Sequence, residues 1–180
     1  MIVLGIVVPT TANAAPTCAQ GGACLVGDTG PGGGRIIFVK DTGSFTATAS
    51  WPHVGYCPSS CADTMVTVSL TAGEQAALSF DYIEARDPGV TRAWTADNSH
   101  TIGSSATLLG TGLSNTQTIV GSPSLSGEDA TTSAGFYAWN SAMGGVDNWV
   151  LGSLDEVKLF EILSRNAGTP FAAASTYWTS

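Results

Sequence analysis

Apolar residues are unevenly spread along the chain. Met1 to Val8 are apolar almost throughout, and Pro9-Thr10-Thr11 and the small triplet Ala12-Asn13-Ala14 follow. An apolar run closed by small-x-small is the pattern of a secretory signal peptide at its cleavage end. Residues 1–14 are therefore expected to be a partial signal, lacking the usual basic start, with Ala15 as the first mature residue. The alternative is a buried N-terminal strand. The run is shorter than the about 20 apolar residues that a membrane helix requires, and no later stretch is longer.

Downstream, Val26 to Gly34 (VGDTGPGGG) is a cluster of turn formers. The β-branched run Arg35-Ile36-Ile37-Phe38-Val39 behind it predicts a buried strand. Met65 to Leu70 alternates β-formers and predicts a second strand, and Phe80 to Glu84 a third. Asp41 to Asp63 reads as irregular, and the Gly, Ser, Thr and Asn-rich stretch Thr95 to Ser124 as a long loop.

Two helices are expected near the end. Ser126 with Asp129 has the spacing of a capping box; Ala130, Ala134 and Ala138 recur every four residues, and Gly144-Gly145 would stop the helix. Ser153 with Glu156 is a clearer box, with two acidic residues facing the positive helix end. Leu154, Val157, Phe160 and Leu163 are read as its apolar stripe, with Asn166 and Gly168 as exit signals.

Composition narrows the class. Only 11% of the 180 residues are charged, against about a quarter in ordinary globular proteins. This fits an exported chain built on turns, strands and disulfides. The net charge is −8, and the six basic residues are scattered. Nucleic-acid binding needs clustered Lys and Arg, so it is not expected; nor is docking on anionic lipid. The four cysteines, Cys18, Cys24, Cys57 and Cys61, admit three disulfide pairings. Local bridges Cys18–Cys24 and Cys57–Cys61 are favoured because short loops close easily. Zinc is the rival, but neither spacing is Cys-x2-Cys and no histidine lies near either pair.

The glycines of 26–34 do not form a phosphate loop. They precede the strand rather than follow it, and no Gly-Lys pair occurs. His53 and His100 are the only histidines, and neither sits in a nucleophile motif. Asp155-Glu156 and Glu128-Asp129 are read as helix-capping acids. The five tryptophans, Trp51, Trp94, Trp139, Trp149 and Trp178, are expected mainly in the core, with one or two available as a sugar-stacking platform.

Several segments together resemble the Lcl-type C-terminal domain, a bacterial exported domain of unknown function. They are Cys18 to Cys24 with the glycine cluster and Ile36 to Val39; Tyr82-Ile83-Glu84-Ala85 followed by Trp94; Ile102-Gly103 and Gly110-Thr111-Gly112 with Asn115-Thr116; Asp147 to Glu156; and Tyr177-Trp178-Thr179-Ser180. The order of these motifs matches the family over nearly all of the mature chain. There are departures. Gly152 stands where the family has Pro, Asn148 separates Asp147 from Trp149, and Ala62 to Ser79 reads as an insertion. The chain also ends at Ser180 where the family continues into further strands, so residues 15–180 are expected to be a single domain lacking its C-terminal strands.

The resemblance implies an α+β, C-type-lectin-like fold: two helices packed on short twisted antiparallel sheets, with long Gly/Ser/Thr-rich loops on one side. It implies an extracellular or cell-surface recognition or adhesion module without catalytic machinery, whose partner would be a glycan or a surface protein. Trp94, Asp97, Asn98, Asp147 and Asn148 are the candidate ligand-binding residues, and calcium, held by oxygen ligands, the candidate cofactor. Ser153, Leu154, Glu156, Phe160 and Trp178 are expected to be structural. The alternatives are an envelope domain with no ligand of its own, and an enzyme of the formylglycine-generating type with a dispersed site. That oxidase chemistry needs reactive cysteines late in the fold, and none follows Cys61.

Overall fold

The computed structural model describes residues 15–51, 64–86, 89–90, 92–96, 102 and 106–167. The expected signal peptide, the Cys57–Cys61 pair, both histidines, Asp97, Asn98 and the Tyr177–Thr179 strand lie outside these residues. The order is β1 (Arg35–Val39), β2 (Phe45–Trp51), β3 (Thr64–Leu70), α1 (Ala72–Ala77), β4 (Tyr82–Ala85), α2 (Gly112–Val120), α3 (Ala134–Trp139) and α4 (Leu154–Asn166). The class is α+β, with two small antiparallel sheets, β1–β4 and β2–β3. Among the described residues there are four α-helices rather than the expected two, and none is long and apolar enough to cross a membrane.

Strand β1 forms where the β-branched run predicts it. Ile36, Ile37 and Phe38 are all buried in succession. An alternating strand cannot bury three consecutive side chains on one face. The pairing with β4 shifts between Ile36 and Phe38, so Ile37 is an extra residue in a bulge.

The expectation of an irregular stretch after Asp41 is corrected by β2. It pairs with β3 in unbroken register from Phe45↔Leu70 to Trp51↔Thr64. Phe45, Ala47 and Ala49 face inward with Val66, Val68 and Leu70, while Thr46, Thr48 and Ser50 face out. The alternation is present in β2, but small residues fill it, so its apolar signal is weak. The segment Ala62 to Ser79, read as an insertion, supplies β3 and α1 and two buried core residues, Val68 and Leu70.

Phe38 joins the two sheets. Its ring meets Phe45 of β2 edge-on at 5.2 Å and Phe80 at 6.4 Å. Helix α4 closes the core by laying Leu159 and Ile162 against Ile37, Phe38, Val68, Leu70 and Leu109. The expected stripe on α4 is corrected here. Leu154 is 37% exposed, whereas Leu159 and Ile162 are buried. Residues 154 and 163 are separated by about 2.5 turns at about 3.6 residues per turn, so they stand on opposite sides of the helix. Phe160 and Leu163 pack at the edge of the core.

The helix expected from Ser126 begins later, at Ala134, with Ser133 before it. The Asp129 carboxylate does not cap a helix at Ser126. Its Oδ1 accepts from the backbone N–H groups of Thr131 and Thr132 and from the Thr131 hydroxyl, closing a local turn. The helix ends at Trp139, ahead of Gly144-Gly145.

Candidate functional site

Glu84 and Glu156 each hold a loop through both carboxylate oxygens. Glu84 stands on β4. Its Oε1 accepts from Gly34 N–H at 2.5 Å and its Oε2 from Gly32 N–H at 3.0 Å. Arg86, two residues on, donates from Nη1 to the Gly32 carbonyl at 2.9 Å. The turn closes on itself through Gly33 N–H to Gly30 O and Gly30 N–H to Gly34 O.

A second loop lies on this one. Gly144 and Gly145, both at positive φ, make the two-residue turn between Met143 and Val146, as a type I′ hairpin requires. Trp149 donates from Nε1 to Val146 O at 3.0 Å. A Cβ on Gly32 would stand 2.4 Å from the Trp149 ring, and one on Gly144 2.5 Å from the Gly32 carbonyl. A side chain at Gly144 would run into backbone, and one at Gly32 would displace the Trp149 ring. Asp147 and Asn148 lie between the hairpin turn and the anchored Trp149, and both are exposed.

Glu156 performs a similar task elsewhere. Its Oε2 accepts from Ser153 N–H at 2.8 Å, and Ser153 Oγ accepts from Glu156 N–H at 3.4 Å, which is the capping box at the start of α4. Its Oε1 accepts from Gly110 N–H at 2.8 Å, tying the turn before α2 to α4. Burial pushes the Glu156 carboxyl above the ordinary glutamate range, against the N–H groups of Ser153, Gly110 and Gly112, which pull it down. Ser153 is buried, and its hydroxyl also donates to Leu108 O at 2.9 Å.

Helix α2 lies within the stretch expected to be a loop. Its buried face is Gly112, Asn115, Thr116 and Ile119. The polar members are satisfied: Asn115 Nδ2 donates to Ala106 O at 2.6 Å, and Thr116 Oγ1 accepts from Leu151 N–H at 3.0 Å. Gly135 of α3 packs on Ile119, where a Cβ would come within 2.7 Å.

Trp94 sits in a different seam and is half-buried. Its neighbours are tied to the α3 region by Ala134 N–H to Ala93 O at 2.9 Å and Ala96 N–H to Glu128 Oε1 at 2.7 Å. The Arg92 guanidinium lies 4.8 Å over the Tyr137 ring and donates to Ala130 O. Glu128 Oε2 and Ser133 Oγ are buried there without a hydrogen-bond partner among the described residues.

Of the five candidate ligand residues, Asp147 and Asn148 share one exposed loop, and Trp94 belongs to the seam with α3. Among the described residues no three His, Cys, Asp or Glu side chains gather as a metal ion would require. The Cys18–Cys24 disulfide is formed, with sulfurs 2.02 Å apart. The sequence does not mark Glu84, Arg86 or Trp149 as loop anchors; its nearest signals are Glu84, a lone carboxylate inside a short apolar strand, and the aromatic Trp149 beside the Asp147-Asn148 pair.

No protein family matches the chain, and no curated protein or solved structure matches it.

Proposed function

We propose that this chain is a non-enzymatic, extracellular recognition or adhesion module of the C-type-lectin-like, Lcl-type class, binding a glycan or a surface protein. The observation that carries the reading is the exposed 144–149 loop, whose base is fixed by Trp149 against Gly32 and, beneath that, by Glu84. Binding sites are held on rigid supports because ordering a loose loop at the moment of binding costs affinity. Asp147 and Asn148 offer a carboxylate and an amide, a donor and acceptor set suited to sugar hydroxyls. A glycan array probed with the chain tests the reading. Reproducible binding to a saccharide class supports it; retained folding with no saccharide bound sinks the glycan claim.

A structural envelope domain is the second reading. The glycines with no room for a side chain, Gly32 and Gly144 among them, favour it, since such packing serves rigidity whether or not a ligand binds. A chain with this role would bind neither the saccharides of an array nor surface proteins of its own cell.

A further inference from the structure

We draw no further inference here: the strongest candidate, the outer face of the β2–β3 hairpin on which Thr46, Thr48, Ser50, Thr67 and Ser69 stand exposed in register, is an unpartnered sheet face and nothing in the structure shows what covers it.

Discussion

Glu84 and Glu156 each use both carboxylate oxygens as acceptors for backbone N–H groups. A glutamine has one acceptor oxygen and would aim its NH2 at an amide that also donates. Leaving a partly buried donor unpaired costs about 1–3 kcal/mol. Glu84→Gln is therefore expected to destabilise by about that amount, read by urea unfolding, with faster hydrogen exchange at Gly32 and Gly34. Unchanged exchange at both amides would refute the anchoring role. Glu156 adds a dependence on pH. Its carboxyl is raised by burial, so folding takes up a proton between the ordinary glutamate value and the raised one. The stability this contributes is fully present below the ordinary value and is lost as pH rises through the raised one. Glu74 and Asp129 run the other way. Thr71 N–H holds Glu74 low and the Thr131 hydroxyl holds Asp129 low, so their contributions fade as pH falls. The stability gap between the wild type and Glu156→Gln should accordingly shrink from about pH 4 to about pH 7. A gap that widens over that range would mean that the three N–H groups outweigh burial.

Elements with local signals were legible, and those resting on tertiary context were not. The α4 start was readable because its cap is made within four residues, Ser153 to Glu156. Thr71 and Glu74 make the same box at α1, a signal of equal quality that could have been found. Helix α2 gave no such signal: its buried face is largely Gly, Asn and Thr, and it is accommodated by hydrogen bonds to 106 and 151. On α4 the cap was legible but the buried face was not, since a spacing of three drifts around the helix. The corrected face carries its own expectation. Leu159→Ala should cost about 2–5 kcal/mol through a cavity, and Ser153→Ala about 1 kcal/mol through the lost cap. Leu154→Ala should stay within about 0.5 kcal/mol, as at ordinary surface positions. Thermal melts of the three variants decide the order; a Leu154→Ala loss as large as that of Leu159→Ala would place the core on the wrong side of the helix. The Cys18–Cys24 bridge closes a short loop, for which the chain-entropy account gives about 2 kcal/mol. Cys18→Ser with Cys24→Ser should lower unfolding stability by that much, and an unchanged melt would show the loop to be held by its hydrogen bonds alone.

At the scale of the molecule, two small sheets and α4 enclose one core, and the glycine loops lie outside it under the hold of side chains from β4 and the 144–149 loop. Along α4, Arg165 pairs with Glu161 and Lys158 with Asp155. The exposed loop that carries Asp147 and Asn148 is thus anchored on Gly32 and, through it, on Glu84, as the proposed recognition role requires. The most direct measurement is amide chemical-shift mapping by heteronuclear NMR as a saccharide selected on the glycan array is titrated in. Shifts concentrated at 30–34 and 144–149, and abolished by Asp147→Ala with Asn148→Ala in a protein that still melts at the wild-type temperature, are the predicted result. Shifts confined to the outer face of β2–β3, or binding indifferent to both substitutions, would contradict it.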